Sequence, residues 1–101
     1  MAQQLSWSPE AVEDLQAIAE FISRDSPGYA SAVVTKMVAV SRSLIETPLI
    51  GRVVPELGDQ KIRERFVYSY RLIYRIRDDE ILVAAIIHGK RLIDGVSDRF
   101  E

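Results

Sequence analysis

Two periodicities divide the chain. Val12, Leu15, Ile18, Ala19 and Ile22 recur at spacings of three and four, one stripe of a helix. Ser8-Pro9-Glu10 supplies its start: a side-chain cap, a proline suited to the first helical position and an acid at the positive dipole end. The pattern predicts a helix over 9–25. Ser26-Pro27 repeats that grammar, and Ala30, Val33, Val34, Met37, Val40, Ser41, Leu44 and Ile45 form a second stripe that ends before Pro48. At 1.5 Å per residue these helices are roughly 25 to 30 Å long, enough to lie antiparallel along strands of about eight residues.

The remaining pattern is β-forming. Strands are predicted at 3–7, 62–67, 70–77 and 80–88, giving the order β-α-α-β-β-β. This is an α+β fold in which a helical hairpin packs on one face of a small, mainly antiparallel sheet. Asp78-Asp79 suits a two-residue hairpin turn. If Arg77 pairs with Glu80, then Leu72, Tyr74 and Ile76 share the helix-side face with Ala85, Val83 and Ile81. The opposite face collects Arg71, Ile73, Arg75 and Arg77 with Ile86, Ala84 and Leu82, and His88 lies diagonal to Arg71. A three-residue loop would reverse these faces, because one residue of slip turns every side chain over. Trp7 and Tyr74 are expected in the core, where large aromatics bury most area.

Composition adds limits. The 101 residues, 48% of them apolar and 28% charged, suit one globular domain over 1–101. With no cysteine, disulfides and thiolate metal sites are excluded. The opening residues lack the basic and apolar regions of a secretory leader, and the longest apolar run, 81–87, falls far short of the ~20 residues of a membrane span. A cytoplasmic protein with no membrane partner is expected. Net charge is −2, yet the segment 51–77 holds seven Arg/Lys against three acids. A solvated strand face is the plain reading of that charge. The functional one is a basic face for an acidic protein or a polyanion. Phosphate-loop, dinucleotide and nucleophile-elbow motifs are missing. One histidine does not make a zinc site, and Asp78, Asp79 and Glu80 read as a solvated turn, so neither metal nor cofactor is expected.

Several fragments, in order, resemble the ParE/RelE superfamily of type II toxins, often called plasmid stabilisation proteins. They are W-S-P-E-A-V-E-D-L-Q-A-I-A-E-F-I at 7–22, G-R-V-V-P-E-L at 51–57, then I-R-E, Y-R-L-I-Y-R-I and I-I-H-G-K-R across the strands. The resemblance implies a small α+β toxin held inactive by a cognate antitoxin. The His-Gly-Lys-Arg ending and P-E-L look most like the ParE branch, associated with DNA gyrase poisoning. The competing reading is a RelE/YoeB-like ribosome-dependent mRNA endonuclease, in which Glu56 would match the base, Arg71 the phosphate-binding arginine and His88 the terminal histidine. A nuclease needs a base, a cation and an acid around one phosphate. The lysine-dense stretch of RelE is absent, and the chain runs on past His88. Each of the three also has a structural reading: Glu56 as an arginine's partner or a turn residue, Arg71 as a strand residue, His88 as a cap on its own strand. The ParE-like reading favours binding over catalysis. It expects Arg65, Arg71, Ile73, Arg75, Leu82, Ile86, His88, Lys90 and Arg91 to contact antitoxin or target, with an acidic, amphipathic antitoxin segment covering a mixed apolar and basic groove.

Overall fold

Ser8 and Ser26 open the two helices as expected. In the computed structural model, which describes residues 4–91 and 93–100, the Ser8 hydroxyl accepts the Ala11 N–H at 3.1 Å and that of Ser26 accepts the Tyr29 N–H at 3.2 Å. Helix α1 spans Pro9–Ser23 and α2 spans Pro27–Ser43. Strand β1 is Gln4–Trp7; the predicted start at Gln3 lies outside the described residues. Strand β2 is the short pair Arg52–Val53, β3 is Ile62–Val67, β4 is Tyr70–Ile76 and β5 is Glu80–His88. A 3-10 helix, Ile93–Phe100, follows. The sheet runs β1-β5-β4-β3-β2, with β1 parallel to β5 and the other neighbours antiparallel. The helical hairpin covers one face, so the predicted α+β order is observed, with β2 and the terminal 3-10 helix added to it.

On the helix side, Ala11, Val33, Met37 and Leu44 pack with Leu72, Tyr74, Ile81, Val83 and Ile86. Leu5, Trp7, Leu15, Ile18 and Ile22 close the margins. Val12, counted into the α1 stripe by spacing, is exposed, and Ala11 faces the sheet in its place. Tyr74 is fully buried and its hydroxyl is used twice, donating to Pro48 O at 2.6 Å and accepting the Gly51 N–H at 3.0 Å. Burial raises its phenol pKa.

The register holds and then shifts. Ile76 pairs with Ile81 and Tyr74 with Val83, as the two-residue turn dictates, but Ile73 pairs with Ala85. Ala84 is therefore an extra residue, a β-bulge. Beyond it Leu72 meets Ile86 rather than Ala85, and Tyr70 meets His88. Ile86 thus belongs to the helix-side core, not to the face of Arg71, and Ile87 takes its expected place opposite Arg71. His88 likewise turns to the helix side with Tyr70.

The far face also differs from expectation. Ile73, Ala84, Ala85 and Ile87 join Val54 and Ile62 in a second core, roofed by Ile93, Val96 and Phe100 of the 3-10 helix. The chain's own tail covers the apolar part of what was expected to be an open groove.

Leu72 is fully buried at the centre of the helix-side core. Leu72→Ala is expected to cost about 2 to 5 kcal/mol by chemical denaturation, whereas Val12→Ala should stay within about 0.5. Equal small effects would contradict the observed faces.

Candidate functional site

A cluster of alternating charges sits on the far face of the sheet. Pairing of β2 with β3 sets Arg52 opposite Glu64. Pairing of β3 with β4 brings Arg71 to the same side of the sheet, one pair further along. A tight turn after Val54, closed by Gly58 at φ +65°, then presents Glu56. Arg71 Nη1 and Nη2 donate to the two Glu56 oxygens at 2.9 Å each, a bidentate fork. Its Nε donates to Glu64 Oε1 at 2.6 Å, while Arg52 Nε donates to Glu64 Oε2 at 2.6 Å. Arg71 is 4% exposed, and the Glu64 side chain is fully buried.

Burial is tolerable here because each carboxylate meets guanidinium donors and the charges alternate. The Arg71 guanidinium holds the Glu56 carboxyl below its ordinary pKa, chiefly by direct hydrogen bonding. Glu56, in turn, raises that of Arg71. Two of the three nuclease candidates are therefore brought together, and they satisfy each other.

His88 is not part of this cluster. Its ring stands edge-on to Tyr70, centroids 5.6 Å apart, on the helix side. Successive strand residues point to opposite faces, so the sheet separates Tyr70 and His88 from Arg71. Nδ1 of His88 accepts the Lys90 N–H at 3.2 Å, a local cap where the strand ends. Two adjoining hollows of about 320 Å³ each share Phe21, Tyr70 and His88. One continues to Asp14, Ile18, Ile86 and Arg91, the other to Asp25, Tyr29 and Ser69. Together they form a groove between α1 and the end of β5. Phe21 is 66% exposed in it. At its rim the rings of Tyr29 and Tyr68 meet edge-on at 5.7 Å. Tyr68 takes φ +53° in the β3–β4 turn, a left-handed conformation costing a side chain roughly 1 to 2 kcal/mol.

The bulge has its own clamp. Asp14 Oδ2 accepts the Ile86 N–H at 3.0 Å and an Arg99 Nη1 proton at 2.7 Å, and the same Arg99 nitrogen donates to Ala84 O at 3.0 Å. Asp14 raises the Arg99 pKa by that contact.

The other residues singled out by sequence are scattered. Ile73 is buried beneath the tail; Arg75 and Leu82 are half-buried partners on the far face. Arg65 is half-buried on β3 opposite Leu72. Lys90 and Arg91 are exposed after β5, Arg91 lining the groove beside His88 and Ile86. Sequence reasoning missed Glu64, Asp14 and Phe21. Glu64 has a signal, an acid between Ile62 and Phe66 on one face of a strand. Asp14 has one too, an acid four residues before Ile18 on the buried stripe. Among the described residues no helix is long and apolar enough to cross a membrane, and no cluster of acids and histidine is placed to hold a metal ion.

Two outcomes follow from the charge cluster. Glu64→Ala leaves Arg71 and Arg52 without their shared acceptor and is expected to cost about 3 to 5 kcal/mol. Glu56→Ala, at the half-exposed end, should cost less. Because the folded state depresses the Glu56 pKa, its contribution is present above the ordinary glutamate value of about 4.3 and is lost as pH falls from there through the folded value. Thermal melts between neutral and acid pH should show the wild type losing more stability than Glu56→Gln. Parallel curves would refute the linkage.

The fold and sequence have relatives. The family model for the ParE toxin of type II toxin–antitoxin systems, parDE, matches residues 5–93. Toxin RelE2 of Caulobacter vibrioides is 31% identical over 90 residues, covering 88% of this chain and 98% of that protein. Among solved structures, a chain of the chromosomal ParDE system from P. aeruginosa superposes with a TM-score of 0.71 at 21% identity, over 86% of this chain and 96% of that one. A mutant of E. coli toxin RelE in the free state gives 0.64 at 17% identity, over 99% and 92%. The overall fold is thus shared with these two chains, and the chain belongs to the ParE toxin family within the ParE/RelE superfamily of type II toxins.

Proposed function

We propose that this toxin acts in the cytoplasm by binding and inhibiting DNA gyrase, as the ParE resemblance implies, and that a cognate antitoxin neutralises it. The observation that carries the non-catalytic reading is the separation of Glu56 and Arg71 from His88. A base for the 2′-hydroxyl and a cation for the scissile phosphate must both face one substrate. Here the fork of Arg71 is filled by Glu56 and Glu64, and His88 lies across the sheet. The match to the ParE family model over most of the chain supports the same branch.

The antitoxin is the second part of the reading. Structural relatives include toxins from the ParDE system and from the RelBE2 complex of Mycobacterium tuberculosis, described as a toxin–antitoxin complex. The groove between α1 and β5 is a suitable seat for an amphipathic antitoxin segment. Phe21, Ile18 and Tyr70 offer apolar contact above the buried Ile86, and Arg91, with Lys90 beside it, offers charge for an acidic flank. Arg65, Arg75 and Leu82 remain half-exposed contacts of secondary weight, whereas Arg71 and Ile73 serve the fold.

A ribosome-dependent mRNA endonuclease is the second reading. It is favoured by the kinship with Toxin RelE2 and by the exposed Phe21 and Tyr29, which share a hollow with His88, since single-stranded RNA stacks on aromatic rings. Purified toxin in a gyrase supercoiling assay and, in parallel, on programmed ribosomes separates the two. Loss of supercoiling with intact mRNA is expected. Cleaved mRNA with unaffected gyrase would reverse the assignment. For the groove, Phe21→Ser should weaken antitoxin binding by about tenfold or more by calorimetry while leaving the melting temperature nearly unchanged, because the ring is mostly exposed in the free toxin.

A further inference from the structure

The loop from α2 to β2 carries two adjacent aliphatic side chains in solvent: Leu49 is 65% exposed and Ile50 55%. Most surface aliphatics sit singly and need no explanation. This pair differs because its backbone is held rigid from three sides. The Tyr74 hydroxyl donates to Pro48 O at 2.6 Å and accepts the Gly51 N–H at 3.0 Å. Arg63 Nη1 donates to Gly51 O at 3.0 Å and to Leu49 O at 3.4 Å, and the Ile50 N–H bonds Thr47 O at 3.1 Å. Gly51 must stay bare: a Cβ there would lie 2.6 Å from the Tyr74 hydroxyl and 2.7 Å from Glu64 O. A buried tyrosine, a bare glycine and an arginine thus fix the backbone of a tip that buries neither aliphatic side chain.

We infer that Leu49 and Ile50 form a preorganised apolar finger that inserts into a pocket on a folded, acidic protein, the toxin's target, leaving the α1–β5 groove to the antitoxin. Shape chooses between these partners. A segment that folds on binding needs a groove to lie in. An exposed loop tip offers none, so the concavity must be supplied by a partner already folded, and a tip fixed in advance loses little entropy on docking.

Charge sets the partner's chemistry. Arg63 spends its hydrogen bonds on carbonyl and amide oxygens of residues 49, 51 and 60, so no carboxylate neutralises it among the described residues. Arg52, next along the chain from Gly51, is 58% exposed but already paired through Nε with Glu64 at 2.6 Å, its guanidinium 5.2 Å from the Phe66 ring centroid, so the unneutralised charge of the rim is that of Arg63. Glu46 is the acid on the same loop. A pocket flanked by carboxylates complements this rim.

The inference rests on the toxin reading, and gyrase is the probe for it. Wild type and the double variant Leu49→Ser/Ile50→Ser are compared for supercoiling inhibition, for growth arrest on induction, and for melting temperature and antitoxin binding. The variant should need about thirtyfold more protein to inhibit, as truncating a hot-spot pair does, and should lose growth arrest, with melting and antitoxin binding unchanged. Equal potency with an intact fold would overturn the finger and leave the gyrase reading standing. If wild type arrests growth without touching gyrase and the variant does not, the finger holds and gyrase falls. A wild type with neither effect overturns both.

Discussion

The bulge at Ala84 in β5 is the constraint on which the rest of the molecule depends. One extra residue turns the strand over. Before it, Val83 and Ile81 lie under the helices; after it, Ile86 and His88 do. Without the bulge His88 would share a face with Arg71, and the elements of an RNA-cleaving site would converge. With it, His88 joins Tyr70 and Phe21 in the α1–β5 groove, while Ile87 helps seal the second core. Asp14 and Arg99 hold the irregular backbone by meeting the groups that a regular ladder would have paired, so helix, strand and tail are tied at one point.

That arrangement assigns different work to the two faces. On the far face Arg71, Glu64, Glu56 and Arg52 are charge-paired at one end and apolar residues lie under the 3-10 helix at the other. A network so fully satisfied has little left for a substrate, since a phosphate would have to displace Glu56 from a bidentate contact. In the proposed reading, recognition falls to what stays exposed: the aromatic groove beside α1 and the aliphatic loop tip at Leu49 and Ile50. Both are set by buried partners, Ile86 for the groove and Tyr74 for the tip.

Much of the fold was legible in the sequence. Caps and threefold–fourfold spacing located both helices, and Asp78-Asp79 set the hairpin register through Tyr74 and Val83. The bulge was not legible, because 81–87 is uniformly apolar and carries no alternation that a slip would interrupt. Its one trace is the small pair Ala84-Ala85. The core role of 93–100 is not legible either: Ile93, Val96 and Phe100 repeat at three and four residues, but with acids and a glycine between them the stripe is too short to read as a core element. Burial of Arg71 was hidden for a different reason. Arginine ordinarily marks surface, and only the acids Glu56 and Glu64, distant in sequence, make its burial affordable.

Growth arrest by the double variant Glu56→Gln/His88→Ala tests the central claim most directly, that toxicity arises from binding and not from acid–base chemistry shared across the sheet. Arrest close to that of the wild type, from a protein that still melts cooperatively, is the predicted result. A folded variant that binds antitoxin normally yet no longer arrests growth, a loss on the scale of the 10² to 10⁴ that acid–base groups supply, would contradict the account.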